Sequence, residues 1–147
     1  MSHQVLSSEL IKLSKAKSWD QAKLEWEVTN VHRVDEPETC LCDHYPIIEV
    51  CTIHNTETGE DARVGNCCVK KFNKDSDKIF RAVARVRKDI EKSLNAETIS
   101  LALKNTWITG NDYVFYFSIM RKKRLSEKQL AWKKDINLKI GKKVSGS

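Results

Sequence analysis

No cysteine lies outside residues 40–68 of this 147-residue chain, and no apolar run approaches the roughly 18 residues that span a bilayer. No Ser/His/Asp set, P-loop or Gly-rich phosphate cradle occurs either. These gaps exclude a membrane-spanning helix and leave no motif for triad hydrolysis or nucleotide-phosphate binding. Internal repeats and low-complexity blocks are also missing. What remains is 40% hydrophobic and 31% charged, the balance of an ordinary soluble globule, and the length predicts a single domain over 1–147. The start, MSHQVLSSELIKLSKAKSW, mixes charges into its apolar positions and is a poor signal peptide, so a cytoplasmic location is expected.

The cysteines that are present form a cluster. The stretch CLCDHYPIIEVCTIHNTETGEDARVGNCCVKKF, residues 40–72, holds all five, with two of the four histidines. In a reducing compartment such a cluster reads as metal ligands rather than disulfides, and an odd count agrees. Cys40, Cys42 and His44 sit on alternate residues, which a tight turn can swing onto one ion. GNCC, at the junction of a hairpin and a helix, is the donor of the fourth ligand, because the positive end of a helix favours the thiolate. The expected set is Cys40, Cys42, His44 and Cys68 around one structural zinc. The alternative is Cys40, Cys42, Cys67 and Cys68. Cys51 reads as a core residue, and His3 and His32 as surface histidines.

Charge is uneven. Between Arg121 and Lys143 ten Lys/Arg face only Glu127 and Asp135, a local net of +8, while the rest of the chain nets −2. The formal +6 reads as a property of the C-terminal segment alone, which suggests a polyanionic partner. Arg121, Lys122, Lys123, Arg124, Lys133 and Lys134 are the candidate nucleic-acid contacts, and neutralised phosphates would make binding steeply salt-dependent. Trp132, inside the basic run, either stacks on a base or anchors its helix.

The periodicities predict an α+β, mainly helical fold with a zinc knuckle and β-hairpin of treble-clef layout embedded in it. Segment 1–36 holds N-terminal helices and a connecting strand. Leu6, Leu10 and Leu13 mark a helix over 5–16, and SWDQ reads as a capping box at Ser18 and Gln21, with Trp19, Ala22 and Trp26 on one face. EVTNVHRV reads as extended, and Pro37 as a break. Segment 37–73 is the zinc-binding hairpin module: a strand IIEVCTIH, a turn at Gly59, a return strand ARVG, and a helix starting at NCCVKKF. Segment 74–141 is helical. Asp75 caps a helix with Ile79, Val83, Val86 and Ile90 inward, Asn95 opens a second, and NDYVFYFSIM is a buried helix or strand that Asn111 as a cap tips towards helix. Ser126 and Gln129 form a capping box for a last helix over 126–140, stopped by Gly141, with 142–147 a loose tail.

Three runs in this chain, W-D-x-A-x-x-E-W from Trp19, C-x-C-x-H-x-P-I-x-E-x-C-x-I-x-N-x-x-T-G from Cys40 and V-G-x-x-C-V-x-x-F from Val64, resemble a family of small phage and bacterial zinc-finger-like proteins. The resemblance implies a phage-type protein, acting in a host cytoplasm, with Cys68 in register as a ligand. It implies no activity. HNTETGEDARVGNCC is also loosely similar to the core of His-Me finger nucleases of the endonuclease VII type. That likeness implies His54 as a general base and Asn73 beside a divalent ion, but Ile53 stands where the family's metal-binding aspartate belongs.

Three functions follow as expectations: a non-catalytic nucleic-acid-binding accessory protein, an adaptor or inhibitor of a host protein complex, and an active or degenerate nuclease. A closed structural zinc cannot activate water, which weighs against catalysis. Neither a membrane nor a small-molecule substrate is expected.

Overall fold

The computed structural model describes residues 2–145, with the side chains of Ser2 and His3 excepted. The expected surface placement of His3 and the last two positions of the tail therefore lie outside the described residues. The chain is α+β, with seven α-helices and one three-stranded antiparallel sheet among the described residues. About half of it, 51%, is helical, so helix predominates. No described helix is long and apolar enough to cross a membrane. Backbone contacts cluster into two compact units, one ending at Ser76 and one beginning at Asp77.

The first unit opens with α1 (Ser2–Lys12), which buries Leu6 and Leu10. Then come α2 (Trp19–Ala22), a 3₁₀ turn over Lys23–Glu25, and the sheet: β1 (Trp26–Glu38), β2 (Ile47–Asn55) and β3 (Asp61–Gly65) in the order β1-β2-β3. The hairpin falls where the strand, turn and return strand were expected. Cys51, Ile53 and Asn55 of β2 face inward, and Gly59 turns the chain at φ +79, a conformation open to glycine. Gly65 is closely packed: a Cβ there would stand 3.0 Å from Ile47 Cγ2, which would have to give by a few tenths of an ångström.

Two expectations for this unit fail. Ser18 makes no side-chain cap bond, α2 is a single turn, and Trp26 opens β1 instead of sharing a helix face. Tertiary bonds override the local signal here: the Glu25 carboxylate accepts from the Lys15 and Ala16 amides at 2.8 Å each, which holds the chain in a tight return. Nor does Pro37 end the strand. β1 reaches Glu38 across an irregular stretch between Arg33 and Glu38, and an edge strand tolerates a missing N–H.

The one-turn α3 (Asn66–Val69) closes the sheet region, and α4 (Asp75–Lys88) leads into the second unit. That unit adds α5 (Ala96–Lys104), α6 (Gly110–Ile119) and α7 (Glu127–Ser145). α4 buries Ile79, Val83 and Val86 as its period requires, but ends before Ile90. Asn95 caps α5 by accepting from the Thr98 amide. α6 is capped by Thr109 in a reciprocal box with Asp112, not by Asn111. It is also not uniformly buried: Tyr116 and Ile119 face inward while Val114 is 67% and Phe117 40% exposed. The Ser126–Gln129 box forms, with Gln129 donating its amide to Ser126 Oγ and Ser126 its amide to Gln129 Oε1. Gly141 does not stop the helix. It is buried inside α7, between the core residues Ile140 and Val144, so the tail is helical to Ser145.

Candidate metal centre

Cys40 and Cys42 stand on a knuckle. The Asp43 amide donates to the Cys40 carbonyl and the Cys40 amide to that of His44, both at 2.8 Å, with Asp43 at φ 71. Cys68 enters from the single turn α3, directly after β3. The three are buried, and their sulfurs all lie within 4.8 Å of one another, the only such group of three or more Cys, His, Asp or Glu among the described residues. Cys68 Sγ is 3.3 Å from Cys42 Sγ and 3.7 Å from Cys40 Sγ. A disulfide needs about 2.05 Å, so these are free thiols. Three thiolates about 2.3 Å from one tetrahedral ion stand roughly 3.8 Å apart, close to what is seen. The donor set thus fits a soft metal ion, which the group can hold.

The backbone prepares the sulfurs for negative charge. The Gly65 amide donates to Cys40 Sγ at 3.2 Å. Burial opposes charge on Cys42, but the His44 amide and the thiols of Cys68 and Cys40 outweigh it and hold Cys42 below the ordinary thiol range. Cys68 moves the other way, pushed up by burial and by the Cys42 sulfur beside it. Three buried sulfurs cannot all ionise without a cation among them, and a bound divalent ion reverses that logic.

Of the four expected ligands, the structure brings Cys40, Cys42 and Cys68 together, and His44 is outside the three-sulfur group. Its ring is exposed, although His44 lines the same cavity of about 280 Å³, with Cys67 and Lys71. Cys67 is exposed and Cys68 buried, as expected of neighbours whose side chains diverge. Cys51 is a core residue of β2 whose thiol burial raises to about 12, which leaves it inert.

Residues that carried the family resemblance hold this unit together. Asn55 is buried: its Nδ2 donates to Glu25 at 3.0 Å, and its Oδ1 accepts from the Glu57 and Thr58 amides at 2.8 Å each. Thr58 Oγ1 donates to the Leu13 carbonyl, and Trp26 Nε1 to Ser14 Oγ, so the hairpin turn is tied to the end of α1. Trp19 meets Phe72 edge to face at 5.7 Å. Burial works against the charge of Glu25, but bonds from Asn55, Lys15 and Ala16 hold its carboxyl below the ordinary range. Sequence spacing gave no sign of this network, because Glu25 and Asn55 meet across 30 residues.

The nuclease residues have other partners. His54 Nδ1 lies 2.7 Å from Asp61 Oδ1 across the hairpin, and Asn73 Oδ1 accepts the amide of Asp75 at the start of α4.

In the second unit Arg121, Lys122, Lys123 and Arg124 are exposed ahead of α7. Lys133 is a correction: it is 5% exposed and its Nζ donates to the Glu91 carbonyl at 2.8 Å, so it belongs to the fold and not to a contact surface. Burial lowers its pKa against the pull of Glu91 and Asp89. Lys134 is half-buried, 3.8 Å from Glu91. Trp132 stacks on Phe115 at 3.9 Å and donates to Asp112, the anchoring role, while staying 40% exposed.

Comparison with protein-family models, with curated proteins and with solved structures gives no match for this chain.

Proposed function

We propose that the protein is a small zinc-stabilised accessory protein of phage type that binds nucleic acid without catalysis. Zinc is the natural ion for a buried thiolate set with no open redox role, on a treble-clef-like frame of knuckle, hairpin and helical turn. His44, in the wall of the same cavity, supplies the fourth ligand. The observation that carries nucleic-acid binding is the segregation of charge. The second unit has 17 Lys/Arg against 7 Asp/Glu, a net of +10, and the first has 9 against 13, a net of −4. A surface this basic attracts phosphate backbones and releases their counterions. The test is anisotropy of labelled 20-mer single-stranded and duplex DNA. Affinity falling at least tenfold between 50 and 200 mM salt supports the reading, and no binding at 50 mM salt sinks it.

A second reading has its own observation. Val114 and Phe117 on α6 and Leu138 on α7 are exposed large apolar side chains, which favours a protein-binding adaptor. A stoichiometric complex with a host protein that survives high salt, with no DNA binding, would select it.

A further inference from the structure

The positive excess is not confined to the C-terminal segment. Between Lys78 and Lys92 six Lys/Arg face only Asp89 and Glu91. Arg81, Arg85, Lys88 and Lys92 recur at i, i+4, i+7 and i+11, one stripe of a helix. α4 itself ends at Lys88, but Lys92, in the hydrogen-bonded turn that follows, lines the same groove as the other three. All four are exposed and line one groove of about 490 Å³, with Ala84 and Asp89. Arg81 pairs with Asp77 at 2.9 Å, and Arg85, Lys88 and Lys92 have no ion pair among the described residues. On the other flank of α4, Arg87 shares a groove of about 420 Å³ with Lys134 and Lys142 of α7, where Glu91 draws off only Lys134.

We infer that the α4 stripe of Arg85, Lys88 and Lys92, with Arg81 at its end, is the principal phosphate-binding surface. Its occupant is the backbone of a nucleic-acid strand. The four cations present one sign of charge along a groove, with Asp89 the single acid lining it. From Arg81 to Lys88 the helix rises about 10 Å, along which one strand of a duplex presents about three phosphates. Ala84 leaves room for the strand to approach between the long side chains. Contacts of this type read no sequence. By contrast, Arg121–Arg124 form a connection ahead of α7 and share no groove with these residues in either cavity.

This inference rests on the nucleic-acid reading above, and the experiment separates the two. Anisotropy with the same 20-mers is measured across 50–200 mM salt for wild type, for Arg85→Gln/Lys88→Gln/Lys92→Gln, and for Arg121→Gln/Lys122→Gln/Lys123→Gln/Arg124→Gln. All substituted side chains are exposed, and circular dichroism checks that both variants remain folded. The α4 variant is expected to lower affinity at 50 mM salt by about tenfold or more and to take about 2–3 off the slope of log K against log salt. The other variant is expected to lose less on both counts. If the α4 variant binds like wild type while the 121–124 variant loses affinity, the inference is overturned and the nucleic-acid reading stands. If wild type binds neither DNA, both fall. Equal losses in the two variants also overturn it, because they would show a diffuse cloud of charge with no preferred surface.

Discussion

The two units solve the same problem of cohesion with different chemistry. The unit ending at Ser76 carries net negative charge, a short sheet, three clustered thiols and a buried carboxylate–amide network. The unit from Asp77 has helices and no strand among its described residues, is strongly basic and packs on aliphatic side chains such as Ile99, Ile119, Ile136 and Ile140. It too buries polar groups: Tyr116 accepts from the Leu94 amide and donates to Asn137, which holds the carbonyls of Ile90 and Lys92. Those bonds clamp a loop onto a complete core. The first unit buries an apolar core too, with Leu6, Leu10, Val31, Val50, Ile53 and Val64, but its segments are also tied by the Glu25–Asn55 network and, under the proposed zinc site, by the three thiols. One unit should therefore fail when its ligands are removed, and the other only when its packing is.

The largest effect is expected from Cys68→Ser. Binding to a structural zinc site of the kind proposed is coupled to folding, so loss of a thiolate should unfold the hairpin and α3. Hydrogen exchange should then show the first unit unprotected and the helices after Asp77 still protected. Cys67→Ser, at an exposed thiol, should leave exchange unchanged. Equal collapse of both units would erase the contrast.

Asn55→Ala comes next. It strips the Glu25 carboxylate of one donor and the Glu57 and Thr58 amides of their acceptor, at about 3 kcal/mol by chemical denaturation followed in the first unit. A loss below 0.5 kcal/mol would show the network to be dispensable. Tyr116→Phe, its counterpart in the second unit, leaves the Leu94 amide and Asn137 Oδ1 each without a partner. The expected cost is about 1–2 kcal/mol, with the aliphatic core intact.

The smallest effect concerns pH. Glu25 has a folded pKa below its unfolded one, so its stabilisation is complete above the ordinary Glu value near 4.3 and is lost as pH falls through the folded value. The stability gap between wild type and Glu25→Gln should therefore narrow as the solution is acidified below pH 4. A gap that stays constant would mean that shape, not charge, is what Glu25 contributes.

How much of this was legible depends on the range of each interaction. Local signals read true where they act within a turn: the Ser126–Gln129 box, the Asn95 cap and the hairpin about Gly59. They misled where a long-range bond competes, as at Ser18, whose box yields to the Glu25 carboxylate bonding back to residues 15 and 16. Gly141 shows the same competition from packing, because burial among Ile140 and Val144 carries α7 past a residue that usually ends a helix. Cys40, Cys42 and Cys68 were readable from spacing, since knuckle and hairpin bring them together by local geometry. His44 was not placed among them, because alternation of residues fixes which side chains share a turn but not how far each reaches. The α4 stripe was hidden by averaging: the acids of the first unit cancel its charge when all residues outside 121–143 are summed together.

The thiol site is the centre of the account, and counting metal tests it most directly. Protein purified without chelator, analysed by elemental mass spectrometry beside Cys68→Ser and Cys67→Ser, is expected to carry about one zinc per chain in wild type and Cys67→Ser, and close to none in Cys68→Ser. A wild-type value near zero, or zinc retained undiminished in Cys68→Ser, would contradict it.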